Sequence, residues 1–97
     1  AAQKIGLKLK EVSGNRQVIC VTHLAQVAVF ADHHLLIHKQ EQNGRTYTHI
    51  DFLDEGQRVK EIARMISGDN LTDTAIKNAE EMLALASGEE QEQKKAD

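Results

Sequence analysis

Thr22 and His23 are the residues best placed to do chemistry. They follow Val18-Ile19-Cys20-Val21, a short continuous apolar run rich in β-branched residues. Such a run is the mark of a strand buried on both faces, as in a parallel sheet. Ligands of open α/β sheets bind at the carboxyl ends of the strands. A histidine just past this strand can therefore hydrogen-bond a phosphate oxygen or orient a water. The plainer alternative is a polar pair that only ends the strand and caps the next helix.

Other side chains invite chemistry less strongly. His33, His34, His38 and His49 suggest a metal, but zinc takes three or four convergent ligands. In the hairpin register derived below only His38 and His49 are neighbours, and His34 lies roughly 13 Å from His38 along its strand. No cysteine or carboxylate completes a set, so no metal is expected and a solvated sheet face is the default. Cys20 falls within the apolar run, where a thiol behaves as a small hydrophobe without a nucleophilic role. There is no G-x-x-x-x-G-K-[ST] phosphate loop and no apolar strand ending in an acidic pair suited to Mg²⁺. By the usual mechanism the isolated chain is not expected to be an NTPase.

Several elements must position these residues. Residues 2 to 13 have helical spacing, with Ala2, Ile5, Leu9 and Val12 on one face and Gly14 and Asn15 at the stop. The apolar strand covers 17 to 22. A helix over about 24 to 31 follows, with Leu24, Val27, Ala28 and Ala31 on one side. Residues 34 to 39 and 45 to 53 form a β-hairpin around Asn43-Gly44, because both turn positions tolerate positive φ. A two-residue loop there pairs Ile37 with Ile50 and Leu35 with Phe52 on one face. On the other face it sets His38 beside His49, Gln40 beside Tyr47 and Leu36 beside Asp51. Asp54 can cap a helix from about Glu55 to Ser67, with Gln57 bonding back, an inward face of Val59, Ile62, Ala63 and Ile66, and Gly68 at its end. Thr72 can cap a last helix to about Ser87, with Ala75, Ile76, Ala79, Met82, Leu83 and Ala86 inward and Gly88 as its stop. Residues 89–97 read as a disordered polar tail. The expected fold is α/β: one buried strand plus an antiparallel hairpin, flanked by about four helices.

Composition sets outer bounds. The chain has 97 residues, 28% of them charged, and a net charge of −3, which argues against a free-standing nucleic-acid binder. No apolar run approaches the ~20 residues that cross a bilayer. One cysteine cannot form an internal disulfide, and a reducing cytoplasmic setting is expected. The first residues, Ala1-Ala2-Gln3-Lys4, fit a piece of a longer protein.

The segment from Gln17 through Thr22, His23, Leu24, Ala25 and Gln26 to His34 resembles the switch-histidine region of ABC-type ATPases of the SMC-like branch. The blocks Arg58-Val-Lys-Glu-Ile-Ala-Arg-Met-Ile-Ser-Gly68, Leu71-Thr-Asp-Thr-Ala75 and Ala79-Glu-Glu-Met-Leu83 are similar to the C-terminal end of the RecN family of that branch, and Ala1-Ala2-Gln3 resembles the stretch after its D-loop. The resemblance implies that residues 1–88 are the C-terminal portion of a P-loop ATPase head. It implies a parent that binds ATP and Mg between two heads of a homodimer and acts on DNA in double-strand break repair, in the bacterial cytoplasm at the nucleoid. His23 matches the switch histidine, which reaches the γ-phosphate of ATP and so serves both catalysis and nucleotide contact. Thr22 and Gln26 flank it without an assigned role. The phosphate loop, the Mg²⁺ aspartate, the catalytic glutamate and the signature motif would all precede residue 1.

In this class the phosphate-loop strand lies between the switch-histidine strand and the next. The isolated chain is therefore expected either to pair residues 18–22 with 34–39 or to self-associate through its exposed strand edges. A stand-alone α/β interaction module without nucleotide chemistry is the competing function.

Overall fold

The computed structural model describes the backbone of residues 1–96 and the side chains of residues 1–88. Among them are four helices and one hairpin: α1 (Ala2–Val12), α2 (Ala25–Ala28), β1 (Leu35–Gln42), β2 (Arg45–Phe52), α3 (Glu55–Ser67) and α4 (Asp73–Ala96).

Local sequence rules account for most of these elements. Asn43 and Gly44 take φ values of 52° and 76°, the positive pair that a tight hairpin turn requires. The register follows from that turn, with Ile37 opposite Ile50, Leu35 opposite Phe52, His38 opposite His49, Gln40 opposite Tyr47 and Leu36 opposite Asp51. At the start of α3, the Asp54 carboxylate accepts from the Gln57 amide at 2.8 Å, and the Gln57 side chain accepts from the Asp54 amide at 3.0 Å. This reciprocal capping box satisfies two amides that the helix itself leaves unpaired. Thr72 Oγ1 accepts from the Ala75 amide at 3.1 Å and caps α4. The helix does not stop at Gly88 but is continuous to Ala96. The polar tail expected over 89–97 lies outside the fully described residues.

The core is helical. Ile62, Ala63 and Ala79 are wholly buried where α3 meets α4. Ala25, Ala28, Val29 and Phe30 of the α2 region join the same cluster, and Leu7, Val59, Met65, Ile76, Met82 and Leu83 pack against it. Alanine dominates because the helices approach closely. α1 comes close to α2 and to Phe30 just beyond it. A Cβ on Gly6 would collide with Phe30 Cδ2 and would lie 3.0 Å from Phe30 Cε2 and 3.2 Å from the Gln26 carbonyl oxygen.

Further expectations are overturned, including Ile66 on the inward face of α3, which is exposed. First, residues 17–22 form no strand: they lack regular structure, Ile19 and Val21 are 80% and 87% exposed, and Cys20 is exposed rather than buried. A strand needs a ladder partner for its amides and carbonyls, and the sheet among the described residues consists of β1 and β2 alone. Second, residues 18–22 do not pair with 34–39, one of the two alternatives expected of the isolated chain. Third, the inward face of α1 is not Ile5 and Val12, which are exposed; Gly6 is buried and Leu7 packs on the core instead. The α1 pattern therefore carries two apolar stripes, of which this chain covers one. Fourth, the helix expected over 24–31 is a single turn followed by buried Val29 and Phe30, with Ala31 exposed.

His34 closes the base of the hairpin, its carbonyl accepting from the Leu53 amide at 3.0 Å. Its ring is half-buried, and Nδ1 has no hydrogen-bond partner among the described residues. Burial pushes the His34 pKa below 6.5; the nearby Arg58 charge adds to this, and Glu61 opposes it. Folding thus favours the neutral ring. That contribution to stability is complete above about pH 6.5 and is lost as the pH falls through the depressed folded value.

Two tests follow from this packing. Gly6→Ala gains about 1 kcal/mol of helix propensity but overpacks Phe30, and should destabilise the chain by a net 1–2 kcal/mol or so in urea unfolding. Unchanged stability would show that α1 can withdraw from α2 freely. For His34→Gln, the loss of stability between about pH 7.5 and 5.5 should be smaller than in the parent chain. Parallel pH profiles would rule out the buried neutral ring.

Candidate functional site

His23 stands at a bend directly before α2, with its side chain exposed and its ring in no hydrogen bond among the described residues. The chain on either side of it is held. Thr22 is half-buried, and its Oγ1 accepts from the Leu24 amide at 3.0 Å. Leu24 is the N-cap of α2, with extended φ and ψ of −101° and 119°. Immediately beyond, Ala25, Val27 and Ala28 are buried, whereas the Gln26 side chain is exposed. Thr22, His23 and Gln26 are thus brought together by one short turn. The turn presents the imidazole to solvent from a backbone anchored in the core. A free imidazole can donate through one nitrogen and accept through the other.

The far end of α2 is held by a residue that sequence reasoning missed. Arg58 Nη2, from the first turns of α3, donates to the carbonyls of Ala28 at 3.4 Å, Val29 at 3.1 Å and Ala31 at 2.6 Å. Burial lowers the Arg58 pKa, and the charges of Asp32 and Glu55 act against that. Asp32 in turn is ion-paired with Lys10 of α1. The hydrogen bond from Lys10 holds the Asp32 carboxyl below its usual pKa, against the opposing effect of burial. These groups line a cleft of about 400 Å³ that also includes Glu55, Glu80 and Ser87. No local sequence signal marks this contact, since α2 is followed by no C-capping glycine and Arg58 lies about thirty residues away.

The remaining histidines lie apart from His23. His38 and His49 stack across the hairpin with ring centroids 5.3 Å apart, and His38 Nε2 meets Asp51 Oδ2 at 2.8 Å. His33 is exposed at the turn before β1. Among the described residues no three His, Cys, Asp or Glu side chains are grouped to hold a metal ion.

The hairpin also leaves apolar side chains uncovered. Leu35, Ile37, Ile50 and Phe52 share one face of it and are all exposed, as are Ile19 and Val21 of the extended segment. A second groove, of about 600 Å³, separates the hairpin from α3 and is lined by Leu36, Phe52, Lys60, Glu61, Arg64 and Leu71, among others. Glu61 on its floor is buried, and both of its carboxylate oxygens accept from Arg64 Nε at 3.0 Å. Among the described residues no helix is long and apolar enough to cross a membrane.

No family model matches the chain. Individual proteins do. It is 45% identical over 85 residues to the DNA repair protein RecN of Halalkalibacterium halodurans and 46% identical over 85 residues to that of Bacillus subtilis. With the DNA repair protein RecN of Deinococcus radiodurans it shares 44% identity over 84 residues. These matches cover 87–88% of this chain and 15% of each relative, so the chain spans about a seventh of the length of the curated relatives it matches. Over most of its length the chain is therefore similar to one segment of a much longer protein, the DNA repair protein RecN.

Proposed function

We propose that this chain is the C-terminal part of a RecN-type ATPase head and that His23 is its switch histidine. The carrying observation is the element Thr22-His23-Leu24, in a chain similar to RecN, with its backbone pinned at both ends of a short turn and its imidazole exposed and unengaged.

The group that His23 would address is the γ-phosphate of ATP bound by the parent protein together with Mg²⁺. ATP supplies the phosphoryl group. A neutral His23 could orient a water through its acceptor nitrogen or donate an N–H toward a phosphate oxygen. The described residues of this chain fit that single contact and no more. The sequence carries no phosphate loop, and on that ground the isolated chain is read as not competent for ATP hydrolysis.

The uncovered apolar surface supports the same reading. Ile19, Val21, Ile37, Ile50 and Phe52 would be covered by the rest of the head, with residues 17–22 taking up strand pairing there. In the parent the heads would pair as a homodimer and meet DNA during double-strand break repair, in the bacterial cytoplasm at the nucleoid. Without its parent, the chain would self-associate through the same edges.

In a full-length RecN carrying this segment, His23→Ala should lower ATP turnover about 100-fold or more while leaving ATP binding in place. Unchanged turnover would overturn the switch assignment. Titration of ATP into the 97-residue chain should show no saturable heat. Micromolar binding there would mean that the chain holds a nucleotide site of its own.

A further inference from the structure

We propose that Arg58 is a positioning residue for His23, setting the imidazole's place by clamping the far end of α2; the proposal rests on the reading of His23 as the switch histidine. A helix of four residues has almost no stability of its own. The Ala28 carbonyl at its end accepts from the Ala31 amide at 3.1 Å, and the chain leaves the helix at Val29. Arg58 Nη2 donates to that carbonyl and to those of Val29 and Ala31 just past the helix, across 27–30 residues of sequence.

The clamp is itself rigid. Arg58 lies just inside α3, whose first turn is locked by the Asp54–Gln57 capping box. Beside it, Lys10 and Asp32 tie α1 to the chain directly after Ala31. Arg58 makes no ion pair among the described residues, and its Nε is buried without a partner. An arginine is costly to bury, and here its hydrogen bonds go to the backbone that carries the histidine rather than to a carboxylate.

There is little slack between clamp and imidazole. Leu24 to Ala28 is one helical turn, about 6 Å of axial rise, and Leu24 follows His23 directly. At the near end the Thr22–Leu24 hydrogen bond stops the bend from unwinding. Loss of the Arg58 bonds would leave α2 held mainly by the apolar contacts of Ala25, Val29 and Phe30. A shift of the turn would then pass to His23 undiminished.

The test is a mutant cycle in a full-length RecN carrying this segment, read by single-turnover ATP hydrolysis. Arg58→Ala should slow hydrolysis about 10- to 100-fold, the scale of a misplacement near 1 Å. The KM for ATP should change by less than about twofold. Arg58→Lys, whose ammonium can still reach part of the carbonyl set, should recover much of the rate. In a His23→Ala background, Arg58→Ala should cause no further loss.

A wild-type rate for Arg58→Ala, beside a slow His23→Ala, overturns the positioning role and leaves the switch reading standing. The same slowing with and without His23 also overturns it, since general damage to the fold would act in both backgrounds. If His23→Ala alone leaves hydrolysis untouched, the switch reading itself falls and Arg58 has nothing to position. If Arg58→Ala does not fold, Arg58→Met, which keeps an apolar stem but has no donor for the carbonyls, carries the cycle: a deficit that vanishes in the His23→Ala background supports the role, and a wild-type rate overturns it.

Discussion

The helical turn after His23 is too short to persist alone, and the surrounding elements meet in supporting it. Its residues Ala25, Val27 and Ala28 are buried, and Val29 and Phe30 continue into the same core. On one side Gly6 lets α1 come so close that Phe30 fills the space a side chain would need. On the other, Arg58 of α3 collects the carbonyls that the turn cannot pair. Removing Arg58 would take its donor from the Val29 and Ala31 carbonyls, and a single turn has little helix propensity to fall back on, so tertiary contacts hold it.

Polar side chains do comparable work at the helix junctions. Lys10, its side chain largely covered, and the more exposed Asp32 join α1 to the end of the α2 region. Glu61 and Arg64 differ, because the Glu61 carboxylate is buried against the hairpin side of α3 and Arg64 engages both its oxygens. A buried carboxylate without that fork would be an uncompensated charge. The Glu-Ile-Ala-Arg stretch therefore has a structural use: Ile62 and Ala63 face the core while Glu61 and Arg64 satisfy each other beside it.

The hairpin and the segment before α2 have the opposite character. Their local geometry is well defined in the hairpin and absent in residues 17–22, yet both expose apolar side chains. A two-stranded sheet has two open edges and two open faces, and here no helix is laid across the face bearing Ile37 and Ile50.

Residue order alone determined whatever depends on near neighbours. Asn43-Gly44 dictated the turn and through it the strand register; Asp54 with Gln57 and Thr72 dictated two helix starts. The motif blocks around His23 and Glu61 were enough to point to the family. The candidate site was legible as Thr22-His23, but its support was not. Arg58 reaches α2 across about thirty residues, and no local pattern encodes such a contact. Only tertiary structure decided which stripe of α1 faces inward, because Ile5 and Gly6 compete and the close approach of Phe30 selects the glycine. It also decided that Val18 to Thr22 is no strand here. Apolar, β-branched residues favour extended backbone, but a strand exists only where another strand completes its hydrogen bonds.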